Sequence, residues 1–129
     1  MLKKITAVLI SVLLIVSIMP VSIFAAEVTS GTTGDCTWTL DGTVLTISGN
    51  GKMDYHETPW GKNITEVIIK EGVTSIGGRA FYRCTGLTSI TIPDSATSIG
   101  SSAFYRCTGL TSITIPDSAT SIGSSAFYR

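Results

Sequence analysis

Residues 87–106 read LTSITIPDSATSIGSSAFYR, and residues 110–129 repeat those twenty letters without a change. Cys107-Thr108-Gly109 lies between the two copies, so the period is 23 residues. One unit upstream, residues 64–86 read ITEVIIKEGVTSIGGRAFYRCTG and match residues 87–109 at 13 of 23 positions. Tandem units of this length stack, because one unit alone has no partner for its apolar face.

Within a unit, Leu87, Ile90 and Ile92 have the spacing of a short strand with apolar residues turned inward, and Ser89 and Thr91 point outward between them. Pro93 has no N–H to donate and ends the pairing. Asp94-Ser95 is turn chemistry. Ala96 and Ile99 lead the chain back, Gly100 is expected to allow a bend, and Ala103, Phe104 and Cys107 fill the far side from a brief helical turn. The inward set recurs upstream as Ile64, Val67, Ile69, Val73, Ile76, Ala80, Phe81 and Cys84. It recurs downstream as Leu110, Ile113, Ile115, Ala119, Ile122, Ala126 and Phe127. Stacking sets each residue on its counterpart at strand spacing, about 4.8 Å. The expected fold is mainly β: a leucine-rich-repeat-like solenoid with an N-terminal β-hairpin cap.

Residues 27–63 read as that cap. Thr37 to Leu40 and Thr43 to Ser48 flank Asp41-Gly42, a two-residue hairpin turn. Pairing across it predicts Trp38 opposite Leu45 and Cys36 opposite Ile47, with Leu40 on the same face. Pro59-Trp60 offers a further apolar plug. The first 26 residues read as a signal peptide. Lys3 and Lys4 precede an apolar run from Ile5 to Ile18, Pro20 breaks it, and Ala25 and Ala26 are small residues suited to cleavage. The run of 14 residues is shorter than the roughly 20 of a membrane span, so no span is expected after cleavage. The organisation is then 1–26 signal, 27–63 cap and 64–129 repeats, divided as 64–86, 87–109 and an incomplete 110–129.

Composition excludes some classes. With 43% hydrophobic residues the chain is not a disordered one. Net charge is zero, which argues against a nucleic-acid partner and against electrostatic membrane docking. The three cysteines, Cys36, Cys84 and Cys107, cannot all pair within one chain. Stacked side chains project in parallel, so Cys84 and Cys107 are expected as buried free thiols. A single histidine and no CxxC leave too few ligands for a zinc site. Asp54, His56 and Glu57 are an acid–histidine group that reads as a polar loop. No hydrolase or phosphate-binding motif is present, so neither catalysis nor a cofactor is expected. Asn63-Ile64-Thr65 forms a glycosylation sequon.

The unit LTSITIPDSATSIGSSAFYRCTG resembles the BspA-type leucine-rich repeat of bacterial surface proteins. The stretch TWTLDGTVLTISGNGKM, then PW and VIIKEGVTSIGGRAF, resembles the region that often precedes such repeats. Ala96 and Ala119 depart from the family's usual Val. The resemblance implies a secreted or cell-surface location and a non-enzymatic role in adhesion or in binding an extracellular protein or glycan. The alternatives are a structural spacer and the non-catalytic N-terminal part of a larger secreted enzyme.

Two candidate binding strips follow from the repeat. Tyr82, Arg83, Tyr105 and Arg106, continued by Tyr128 and Arg129, form a column of phenols and guanidiniums suited to acidic or glycan ligands. Ser89, Thr91, Ser112 and Thr114 form a small polar face on the outer side of the strands, with Glu66 and Ile68 in the same positions one unit earlier. Leu110, Ile113, Ile115 and Phe127 have no following unit within the sequence, so the expected stacking partner is a further C-terminal repeat.

Overall fold

Three antiparallel strands come first: Thr29–Thr33 (β1), Cys36–Asp41 (β2), in which Thr alternates with larger side chains, and Val44–Gly49 (β3). The computed structural model describes residues 29–55 and 59–129. The expected signal segment, His56 and Glu57 lie outside the described residues. Gly51–Lys52 (β4) follows, then Glu66–Ile69 (β5), Val73–Ile76 (β6), Ser89–Thr91 (β7), Ser98–Ile99 (β8) and Ser121–Ile122 (β9). Two sheets result. One has the order β1-β2-β3-β5-β7, the other β4-β6-β8-β9.

The hairpin meets the repeats by continuing their sheet. β3 runs parallel to β5 and pairs Leu45 with Val67 and Ile47 with Ile69. The strand edge that the first repeat would expose is thereby covered. The expected hairpin register is off by two residues. The turn is Gly42-Thr43, so Trp38 faces Ile47, Leu40 faces Leu45 and Cys36 faces Gly49. Gly42, with φ of 60°, sits at the first central position, where a turn of this twist favours glycine. A slip of two leaves every side chain on its expected face, whereas a slip of one would have reversed them. β1 and the second sheet extend beyond the expectation. In the last unit residues 110–116 form no strand, so the first sheet stops at β7.

The core is a set of ladders. Phe81, Phe104 and Phe127 stack at 5.2 and 5.3 Å between centroids. Trp60 lies 5.5 Å from Phe81 and Trp38 5.9 Å from Trp60, so one aromatic column runs from the cap through the repeats. Burial depends on having a coil on both sides. Ile76 is 1% exposed, Ile99 2% and Ile122 52%.

Hydroxyls join the coils at the edges of these ladders. Thr97 Oγ1 donates to the Thr74 carbonyl at 3.1 Å and Ser95 Oγ to the Val73 carbonyl at 2.8 Å. Ser118 Oγ repeats the Ser95 bond one coil later, to Ala96.

No helix occurs among the described residues, and the expected helical turns around Ala80, Ala103 and Ala126 are a different structure. The N–H groups alternate. Ala80, Tyr82 and Cys84 close tight turns onto Gly77, Arg79 and Phe81, while Arg79, Phe81 and Arg83 donate to Ser101, Ala103 and Tyr105 of the next coil, at 2.7 to 3.0 Å. Ser102, Phe104 and Arg106 repeat the pattern onto Ser124, Ala126 and Tyr128. An α-helix would have directed its later N–H groups to its own carbonyls four residues back, not alternate ones to the next coil. Arg79, Arg83, Ser102, Arg106 and Ser125 have φ between 54° and 58°, which interrupts any helical run.

Gly100 is needed for closeness rather than for a bend. It has no left-handed φ, but a Cβ there would overlap the Gly78 backbone, and one at Gly123 would overlap Ser101. Gly100→Ala should therefore cost about 1–3 kcal/mol by overpacking, read as a lowered thermal midpoint by circular dichroism. A midpoint equal to that of the parent would contradict the close approach. In amide exchange Val67, Ile69 and Phe81 should be protected far more strongly than Phe127, which is held from one side only. Equal protection across the three coils would contradict the burial gradient.

Candidate interaction surface

The turn segment that closes each coil decides which side chains reach solvent. Ala80, Phe81 and Cys84 point into the core, while Tyr82 is half-buried and Arg83 exposed. Ala103 to Cys107 repeats this. Tyr82, Tyr105 and Tyr128 consequently stack, with 5.0 Å between successive centroids and ring planes within 11°. Arg83 lies over the Tyr82 ring at 5.3 Å and Arg106 over Tyr105 at 5.6 Å. Arg79 lies between Tyr55 at 5.8 Å and Tyr82 at 5.5 Å, so the column reaches into the cap. Tyr55 and Arg79 were not expected there, because they fall outside the repeated YR pair.

Arg129 does not continue the column. Its guanidinium donates instead to the Leu110 carbonyl at 2.9 Å, a backbone acceptor that lies within its reach at the last coil.

Arg83 and Arg106 hold φ of 58° and 54°. That region costs a residue with a Cβ about 1–3 kcal/mol, and Gly or Asn would fit it better. The neighbouring left-handed position changes from Arg79 to Ser102 and Ser125, whereas the arginine after each tyrosine stays. Among the described residues, neither Arg83 nor Arg106 has a carboxylate partner.

The expected polar face is exposed at Ser89, Thr91, Ser112 and Thr114. Ser89 and Thr91 lie on β7, opposite Glu66 and Ile68, and Val44 and Thr46 of β3 continue the rows into the cap. Ser112 and Thr114 lie beyond the sheet, in the segment without strand structure. The occupants of these rows change in charge and size from the cap through the first repeat to the second, and Ser112 and Thr114 then repeat Ser89 and Thr91.

The cysteines are free and buried. Cys107 Sγ donates to the Phe81 carbonyl at 3.0 Å, a bond across the coil interface. Burial pushes the Cys84 thiol up to about 12, with Cys107 adding to the rise and Lys62 opposing it. Burial likewise raises Cys107 to about 11, against a lowering effect of the Cys84 backbone. Burial and the charge of Asp35 raise Cys36 as well. These are packing groups, held as neutral thiols. A hollow of about 180 Å³ opens among Phe104, Cys107, Leu110, Ile113, Phe127 and Arg129.

A family profile described as a BspA type leucine rich repeat region, in 6 copies, matches residues 60–129. The chain belongs to this family. Similar solved structures include a leucine-rich repeat protein from Eubacterium ventriosum, at 33% identity and a TM-score of 0.67, over 78% of this chain and 30% of that one. Another, from Bacteroides ovatus, has 28% identity and a TM-score of 0.62, over 79% of this chain and 31% of that one. A third, described as a leucine rich cell surface protein from Faecalibacterium prausnitzii, has 31% identity and a TM-score of 0.54, over 77% and 34%. The chain thus spans about a third of the length of these neighbours. No curated protein sequence matches it significantly.

The thiols give a pH dependence with a definite sign. Both folded values lie above the ordinary 9.0, so the folded state holds these protons more tightly than the unfolded one. Their contribution is fully present below pH 9.0 and is lost as pH rises towards 11 and 12. Denaturant midpoints should therefore fall across that range. Iodoacetamide at pH 8 should label Cys84 and Cys107 only after unfolding, and rapid labelling of the folded chain would contradict the burial.

Proposed function

We propose that this chain is a non-enzymatic, extracellular binding scaffold that presents repeated surface columns to a protein or glycan at the bacterial surface. The observation that carries this reading is the division of labour within each coil. Thr97, Ser95 and Ser98 spend their hydroxyls on bonds to the coil before. The tyrosines are instead stacked in register on the outside, with Arg83 and Arg106 over the rings of Tyr82 and Tyr105. Solenoids bind through surfaces built from such in-register positions. Membership of a surface-protein repeat family and likeness to a neighbour described as a cell surface protein support the location.

Secretion and binding are tested together. Fractionation of the producing cells should find the protein in the envelope or the medium, and recovery from the cytosol alone would overturn the reading. The full chain should bind at least one member of a panel of matrix proteins and glycans with a Kd tighter than about 1 mM. Envelope location with no binding on that panel would replace the scaffold by a spacer.

A further inference from the structure

The zero net charge hides a segregation. From residue 71 onward the only acidic side chains are Glu71, Asp94 and Asp117, and the only basic ones Arg79, Arg83, Arg106 and Arg129. The acids all lie on the connection from the first sheet to the second, after β5 and β7 and at the matching place in the last coil. Glu71 is further held there, accepting the N–H groups of Asp94 and Ser95 at 3.0 and 3.2 Å. Arg79, Arg83 and Arg106 lie on the return connection, beside the tyrosine stack. The arginines beside the tyrosine stack are thus on the opposite connection from these acids, although Lys70 adjoins Glu71.

The basic side has a regular pitch. Its rings turn their faces to one another, so the stack offers ring edges and phenol oxygens outward, once per 5.0 Å. Guanidiniums lie alongside at the same repeat. A guanidinium is a planar fork of donors that matches carboxylate or sulfate oxygens two at a time. Arg83 and Arg106 occupy a backbone conformation that asparagine adopts at lower cost, which is a reason to seek a use for the side chains themselves.

We infer that the column of Tyr55, Arg79, Tyr82, Arg83, Tyr105 and Arg106 binds a linear anionic glycan laid along the solenoid axis. Its carboxylate or sulfate groups meet the Arg83 and Arg106 guanidiniums and its hydroxyls meet the phenols. This rests on the binding-scaffold reading and names its ligand class. Pitch selects the glycan over an acidic peptide. Same-side residues of an extended peptide recur about every 6.6–6.8 Å, out of step with rings 5.0 Å apart. Sugar hydroxyls lie on every ring, so the phenol oxygens can meet them without that side-to-side alternation. Nucleic acid demands a broader basic surface than this single column.

The test uses the full chain and four probes: polygalacturonate oligomers for carboxylate, heparin oligomers for sulfate, dextran as the neutral control and polyglutamate as the peptide control. At least one anionic glycan should bind, more weakly as salt rises, and dextran should not. The double variant R83N/R106N removes both charges while suiting the left-handed backbone. It should melt at or above the parental temperature and bind about tenfold more weakly or worse. Y105F keeps the stack and loses one phenol oxygen, and should weaken binding to a smaller degree. Unchanged binding by R83N/R106N would overturn the inference. So would polyglutamate binding as tightly as the glycans, or failure of both glycans. If both glycans fail while a matrix protein from the earlier panel still binds, the scaffold reading stands and only this ligand class falls.

Discussion

Every coil must offer the next coil the same outline that it receives from the one before, and the rest of the structure follows from that requirement. Phe81 can stack on Phe104, and Phe104 on Phe127, because the positions correspond one period apart. The same constraint removes side chains where backbones touch, at Gly77, Gly100 and Gly123. It also assigns hydroxyls to the gaps at the edges, where Ser95 reaches Val73 and Ser118 reaches Ala96. A change at such a position in an inner coil, such as Phe104 or Gly100, is felt at two interfaces, since that coil is both floor and ceiling.

The cap shows how such a stack is started without a preceding coil. β3 supplies a strand that pairs in parallel with β5 while its other edge is occupied by β2. Trp38 and Trp60 stand in for the missing phenylalanine. An indole covers more area than a phenyl ring, so two side chains of the cap close an aromatic column that identical units could not close by themselves.

The period and its apolar positions were legible in the sequence, because stacking preserves identity and identity is visible as repetition. The hairpin register was not, because Asp41-Gly42 and Gly42-Thr43 are both acceptable turn pairs, and the choice lies in pairing along the whole strand. β8 and β9 escaped notice for a different reason: two residues per coil carry no alternation to detect. The turn segments were read as helical because Ala, Phe and Tyr suit a helix, while the interruption falls on Arg and Ser, residue types that do not advertise a left-handed φ. Of the candidate surface, the Tyr82–Arg83 and Tyr105–Arg106 pairs were visible as a repeated motif. Arg129 was misplaced by extrapolating that motif to a position where the Leu110 carbonyl takes the guanidinium instead. Tyr55 and Arg79 were missed because they occur once.

The alternating N–H groups of the turn segments all point the same way, from each coil to the one after it. The stack therefore has a direction: at each interface between repeats the turn segments donate forward, while the N–H groups of Thr97, Gly100, Thr120 and Gly123 donate back to Thr74, Ile76, Thr97 and Ile99. Recombination between the stretches that encode 87–109 and 110–129 would add or delete whole coils while presenting only joints that already exist. Within such a lineage, the length of the rod and the number of its surface rungs can drift by units of one coil, without a new contact ever having to be selected.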